Sequence, residues 1–343
     1  MKNMLFNRKL PIPKEIKEQY PLTDTLAAVK TRRDNLIRDI FTGNDQRMVL
    51  VVGPCSADRE YAVLEYCHRL AALQEAVADR LVLIPRVYTN KPRTTGAGYK
   101  GLLHQPDPEQ DSDLLEGVIA IRRLHTNVLA QTGLSTADEL LYPNDYRYLS
   151  DLLSYVTVGA RSVENQEHRL TASGISVPVG MKNPTSGNLS VMLNAILAAQ
   201  SPHSFIYRGW EVETCGNDLS HGVLRGYMNK HGRLLPNYHF EDLEFLHREY
   251  SEKQLKNMAV IVDANHANSG KDPWKQPRIC KEVLHSCRHS SQIRGMVKGF
   301  MIESYLEEGC QCIGEGIYGK SITDPCLGWA DTERLVLDIA DLI

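Results

Sequence analysis

The sequence has no run of about 18 apolar residues, the length a membrane-crossing helix requires. Its opening segment, MKNMLFNRKLPIPKEIKEQY, has no apolar stretch of signal-peptide length. These absences lead us to expect a cytoplasmic protein with no membrane partner. An excess of either charge is also missing: 39 Lys and Arg against 42 Asp and Glu leave a net charge of −3. No global field attracts nucleic acid, so it is not expected as a partner, and any anion site has to be built locally. The eight cysteines include no CxxC pair and are irregularly spaced, which argues against a zinc finger or a disulfide framework. No internal repeat, low-complexity tract or Pro/Gly/Ser linker divides the 343 residues, a length that buries a substantial core without staples.

What is present is an alternation of periods. Short apolar, β-branched runs occur at 48–54, 81–88, 135–140, 155–161, 176–182, 222–226, 258–266 and 299–305. Between them lie stretches of helical period, such as Val63, Cys67, Leu70, Leu73 and Val77, or Leu114, Leu115, Val118, Ile119 and Ile121, with others at 188–200, 240–250 and 329–343. Eight strands alternating with helices predict an α/β fold of the (β/α)8 TIM-barrel type. An open doubly wound sheet competes, but no GxGxxG follows the first strand to form a dinucleotide crevice. Two segments exceed the minimal barrel. Residues 1–47 form an N-terminal extension with a helix near 24–40, expected to serve oligomer contact or regulation. Within the catalytic barrel of 48–343, residues 203–215 read as an inserted β-hairpin turning at Arg208 and Gly209.

A barrel of this kind works at the C-terminal ends of its strands. The residues ending the eight runs are Cys55, Arg86, Glu139, Arg161, Lys182, Arg225, His266 and Glu303, all polar or reactive. A single charged strand end is usually solvated surface; eight together, sorted into ligands and cations, are not. Cys55, His266 and Glu303, joined by Asp324, offer a thiolate, an imidazole and two carboxylates. That set suits one divalent transition ion with a position left open, and it does not choose among Mn, Fe, Co and Zn. Arg86, Lys91, Arg93, Arg161, Lys182 and Arg225 converge on the same face, and RVYTNKPRTTGAGYKG adds hydroxyls and glycines around three of them. Guanidinium pairs and close backbone N–H groups bind phosphate and carboxylate, so two anionic substrates are expected.

Several motifs then carry a resemblance. GPCS at 53–56, KPRTT at 91–95, GAR at 159–161, KNPTSG at 182–187, LRG at 224–226, DANHANSGK at 263–271, MIES at 301–304 and YGKSITD at 318–324 resemble the type I 3-deoxy-D-arabino-heptulosonate 7-phosphate (DAHP) synthases. The resemblance implies a transferase, 3-deoxy-7-phosphoheptulonate synthase. Such an enzyme condenses phosphoenolpyruvate with erythrose 4-phosphate at the start of the shikimate route to aromatic amino acids. It implies Cys55, His266, Glu303 and Asp324 as metal ligands. It implies Arg86, Lys91, Glu139, Gly159, Ala160, Arg161, Lys182 and Arg225 around phosphoenolpyruvate, and Lys91, Pro92, Arg93, Thr94 and Thr95 around the sugar phosphate. Lys91, Glu139, Lys182 and His266 are the candidate catalytic groups.

The resemblance further implies a homodimer or homotetramer and an aromatic amino acid as effector, bound near Ser176, Phe205, Ile206, Tyr207 and Trp210. Two departures stand out. GAGYKG is one residue longer than the usual VGWKG and replaces its Trp by Tyr99, and DANHANSGK stands where the family commonly reads DCSHGNSSK. The alternatives are a phosphoenolpyruvate-condensing synthase that uses another phosphosugar, which KPRTT disfavours, and a non-catalytic barrel that senses phosphosugar or aromatic amino acid.

Overall fold

A computed structural model describes residues 2–343. The apolar runs become eight parallel strands: β1 (Met48–Gly53), β2 (Leu81–Pro85), β3 (Thr136–Glu139), β4 (Leu153–Val158), β5 (Val179–Lys182), β6 (His221–Leu224), β7 (Val260–Asp263) and β8 (Val297–Glu303). Their order is β2-β1-β8-β7-β6-β5-β4-β3, and a parallel bridge between Arg86 and Ala137 joins the two ends. The chain is therefore a (β/α)8 barrel.

Alternation along the strands divides the core in two. Met48, Leu50, Val52, Leu81 and Leu83 point outward to the surrounding helices, while Val49, Val51, Val82, Ile84, Tyr155, Val223, Ile261 and Met301 fill the interior. The helix Asp24–Thr42 starts where the Thr23 hydroxyl accepts from the Leu26 N–H, and it stops at Gly43, whose φ of 83° suits a glycine. Its last turns carry Ile37, Ile40 and Phe41 into the interior cluster, closing the N-terminal end of the barrel. Phe41 packs 4.4 Å from the His221 ring and 6.1 Å from Tyr155.

The elements differ from the sequence expectation at their edges. The strands read as 155–161 and 258–266 stop at Val158 and Asp263, because the chain turns away once its side chains pass the barrel rim. Between β3 and β4 the covering helix is a single turn, Tyr146–Leu149. The hairpin forms as two strands, Ser204–Tyr207 and Trp210–Glu213, with Arg208 and Gly209 at φ of 53° and 79°. Two further short pairs, 227–228 with 234–235 and 307–310 with 320–321, carry no periodic signal long enough to be read from sequence.

Candidate active site at the barrel mouth

Glu139, Lys182 and Glu303 are the last residues of β3, β5 and β8. Arg86 and Arg225 follow β2 and β6 directly, Cys55 lies two residues past β1, and Arg161 and His266 lie three residues past β4 and β7. All eight thus rise on the same rim, although not all as strand residues.

One ligand-capable atom each from Cys55, Glu303 and Asp324 lies within 4.8 Å of the others. Lys91 sits among them, its Nζ 2.7 Å from Cys55 Sγ and 2.9 Å from Asp324. Burial opposes the Lys91 charge, but the charges of Cys55 and Asp324 outweigh it and hold its pKa up. Burial and then Glu303 push the Cys55 thiol up, with Lys91 opposing. His266 stands beside this trio. Its Nε2 is 3.8 Å from Glu303 Oε1, and its Nδ1 is 2.8 Å from Asp263 Oδ2. His266 has a φ of 47°, an uncommon backbone state for a residue with a side chain, and such states concentrate at working sites.

Arg86, Lys91 and Lys182 each meet carboxylates. Arg86 is fully enclosed, with Nη2 3.0 Å from Glu303 Oε1 and its guanidinium 3.8 Å from the centre of the Tyr88 ring. Its Nη1 donates to the Pro54 carbonyl. Lys182 Nζ lies 3.9 Å from both Glu139 Oε2 and Asp263 Oδ2. Burial would raise the Asp263 pKa, but His266 and Lys182 pull it far below the carboxylate range, so Asp263 is charged. Burial lowers the Arg225 pKa, and the charge of Arg161 adds to that while Asp263 opposes it. Two guanidinium groups sharing one field this way form a ready anion site. Gly159 makes room for the Glu139 carboxylate: a Cβ there would meet Glu139 Oε1 at 2.5 Å. Ala160 stands next to it, before the exposed Arg161.

The KPRTT loop is anchored from within. Tyr99, the residue that replaces Trp, is buried and donates its hydroxyl to the Ala57 carbonyl at 3.0 Å. Gly101 (φ 99°) lets the chain pass Thr89, where a Cβ would meet the Thr89 carbonyl at 2.3 Å. Arg93 Nε donates to the Tyr99 carbonyl at 2.8 Å, Pro92 is half-buried, and Thr94 and Thr95 are exposed on the rim.

Away from this mouth, the hairpin and the segment before β5 enclose a cavity of about 520 Å3 lined by Ser176, Phe205, Tyr207, Val212, Arg147 and Glu213. Ile206 and Trp210, expected in the same pocket, do not line it. Alternation turns Ile206 to the outer face of the hairpin, where it is 83% exposed, whereas Trp210 shares the face of Tyr207 and Val212 but sits beside the turn, 75% exposed.

Sequence reasoning missed Asp263, which touches both His266 and Lys182. The signal was in DANH, a carboxylate three residues before an imidazole at a strand end. It missed Tyr88 as well, whose ring lies beside two cations and whose position only the barrel closure shows.

A barrel that gathers buried cations, carboxylates and a thiol at its C-terminal mouth defines an enzyme acting on anionic substrates. Residues 17–337 match the model of the DAHP synthetase I family. The chain is 38% identical to a phospho-2-dehydro-3-deoxyheptonate aldolase of Haemophilus influenzae over 96% of its own length and 91% of the relative's. It is 37% identical to the Phe-sensitive enzyme of that name from Escherichia coli, over 98% and 95%. Tyr-sensitive and Trp-sensitive enzymes from Salmonella typhimurium and Enterobacter agglomerans match at 38%. The solved structure of phospho-2-dehydro-3-deoxyheptonate aldolase from Francisella tularensis superposes with a TM-score of 0.92 at 31% identity, covering 99% of this chain and 98% of that one. The chain belongs to the DAHP synthetase I family.

Proposed function

We propose that the chain carries out the family's condensation through the residues at this mouth. Phosphoenolpyruvate, erythrose 4-phosphate and water give DAHP and inorganic phosphate, the first step of the shikimate pathway. The observation that carries the assignment is the cluster itself: Cys55, Glu303 and Asp324 within 4.8 Å, with the cations Arg86, Lys91, Lys182 and Arg225 around it.

The donors fit a divalent transition ion. Glu303 Oε1 is buried with Arg86 Nη2 3.0 Å away and no well-aligned hydrogen bond, and the Lys91 ammonium already supplies positive charge between Cys55 and Asp324. Cys55, His266, Glu303 and Asp324 would hold the ion; thiolate, imidazole and carboxylate together favour Mn, Fe, Co or Zn over Mg or Ca. When bound, it supplies Lewis acidity toward the aldehyde oxygen of erythrose 4-phosphate.

The chain's own groups do the rest. Arg161, Lys182 and Arg225 bind the phosphate and carboxylate of phosphoenolpyruvate and hold its C3 toward the aldehyde carbon. Gly159 and Ala160 let the substrate approach, and Arg86 braces Glu303. Lys91, Pro92, Arg93, Thr94 and Thr95 receive the sugar phosphate. A carbon–carbon bond forms from C3, water adds at C2, and the resulting hemiketal phosphate expels phosphate. Lys182 and Arg225 stabilise that leaving anion in a water-poor site. Glu139 and Lys91 stand where a proton has to be moved.

Release of inorganic phosphate from the two substrates tests the reaction directly. Exhaustive chelation should abolish it and a divalent transition ion should restore it. Full turnover at negligible metal content would defeat the ligand assignment, and no phosphate release from any phosphosugar would leave the sensor alternative.

Regulation is proposed for the second cavity. Phe205, Tyr207 and Val212 offer an aromatic-compatible wall, and Arg147 and Glu213 offer partners for the charged ends of an amino acid. The effector class is an aromatic amino acid. Titrating phenylalanine, tyrosine and tryptophan against initial rate should show one that inhibits by a coupling of about 1–3 kcal/mol. Absence of inhibition at millimolar concentration removes this role. A homodimer or homotetramer is part of this reading, and Phe6, Ile206 and Trp210 are exposed apolar side chains that a subunit contact would cover.

A further inference from the structure

One buried side chain in direct contact with a proposed metal ligand has no part in the metal reading so far. Asn265 lies between β7 and His266 and is 2% exposed. Its Nδ2 donates to Glu303 Oε2 at 2.5 Å, its Oδ1 accepts from the Ser269 hydroxyl at 2.8 Å, and its backbone N–H donates to Asp263 Oδ1 at 3.1 Å. Chemistry decides which way the amide faces. With its NH2 end on Glu303 Oε2 and its oxygen on the Ser269 hydroxyl, each amide atom meets a complementary partner.

Glu303 is also held by Arg86 at Oε1 and through its backbone, where Gln276 accepts from its N–H and donates to its carbonyl, both at 2.9 Å. Its two carboxylate oxygens therefore have different fates. Oε2 is taken by Asn265. Oε1 faces the cations instead: Arg86 Nη2 lies 3.0 Å and His266 Nε2 3.8 Å away, and no well-aligned hydrogen bond closes on it. A carboxylate can bind an ion through one oxygen or two, and whatever holds the second oxygen settles the choice.

We propose that Asn265 is a positioning residue of the metal centre: it occupies Glu303 Oε2, so that Oε1 alone is presented to the ion alongside Cys55, His266 and Asp324. This rests on the metal reading above. The resembling family commonly has serine at this place in its DCSHGNSSK motif, and a serine side chain is too short to span from Ser269 to Glu303. Single-oxygen ligation enforced by an amide is thus a feature of this chain's DANHANSGK segment. It keeps the protein's contribution to four ligand atoms and leaves the remaining positions to substrate.

The test uses the full chain stripped of metal and reloaded with Co2+, whose visible bands weaken as coordination number rises. Affinity is read by competition with a chelator, and folding by the melting temperature of the metal-free protein. Asn265→Ala should bind Co2+ about 10–100-fold more weakly, with weaker visible bands as the second oxygen joins. Asn265→Ser should resemble Asn265→Ala. Ser269→Ala, which leaves the amide in place but frees its far end, should change both readouts in the same direction and by less. Wild-type affinity and spectrum in Asn265→Ala and Asn265→Ser would overturn the proposal. Wild-type protein that binds Co2+ no better than Cys55→Ala would instead bring down the metal reading, and Asn265's role with it.

Discussion

The same eight strands end in opposite environments. At the N-terminal end, Val49, Val82 and Ile261 share one apolar core with Ile37, Ile40 and Phe41 from the helix Asp24–Thr42, and Tyr155 and His221 satisfy each other with a 2.8 Å hydrogen bond. A few residues further along the strands, Arg86, Lys182, Asp263 and Glu303 are as deeply buried but charged. Burial by itself does not select apolar residues. The floor removes hydrocarbon from water and stabilises the fold; the mouth keeps ions out of water, which costs stability unless each finds a partner. The barrel geometry lets the apolar end offset the cost of the charged one.

Three measurements probe this contrast. The largest effect is expected at the floor: Phe41→Ala should lower stability by about 3–5 kcal/mol, as for a large aromatic removed from a packed interior, yet leave turnover per folded molecule unchanged at low temperature. A denaturant titration with parallel phosphate-release rates checks it, and an equal fall in turnover would show that the two ends are not separable.

The second uses pH. Burial holds the His221 pKa at about 4, below its ordinary 6.5. The unfolded chain therefore takes up a proton that the folded chain refuses. The stabilisation is fully present above pH 6.5 and is lost as pH falls toward 4, by about 3 kcal/mol in total. Mouth carboxylates with lowered pKa values lose their contribution at more acidic pH, so the difference between wild type and His221→Asn isolates the floor. That difference should shrink between pH 6.5 and 4; a constant difference would mean His221 is protonated in the fold.

The smallest effect is at the mouth. Arg161→Ala should mainly weaken phosphoenolpyruvate binding and Arg93→Ala mainly erythrose 4-phosphate binding, each by about 1.5–3 kcal/mol for a lost charge-assisted contact. Melting temperature should barely move, because Arg161 is exposed and Arg93 bonds only within its own loop. Equal changes for both substrates in both variants would erase the division of labour.

The barrel was legible because parallel strands buried on both faces read as continuous apolar runs, as in Met48–Gly53 and Val260–Asp263. The rim residues were legible because their types are costly to bury without purpose. Arg161 and His266 were read as strand ends and lie three residues later, since local pattern does not record where a chain leaves its neighbour's hydrogen bonds. The contacts of Asp263 and Asn265 were out of reach for a different reason. Each joins residues on separate strands, Asp263 to Lys182 and Asn265 to Glu303, and only the order in which the strands pair brings them together.

The helix Asp24–Thr42 has one more consequence. It leaves the ribosome before any strand, yet Phe41 packs on His221 and shares its core with Met301, near the far end of the chain. The first long helix synthesised must therefore wait for the last strand before its apolar face is covered. During translation that face is a natural hold for a chaperone. Trimming the protein for expression should accordingly cut ahead of Thr23, never between Thr23 and β1.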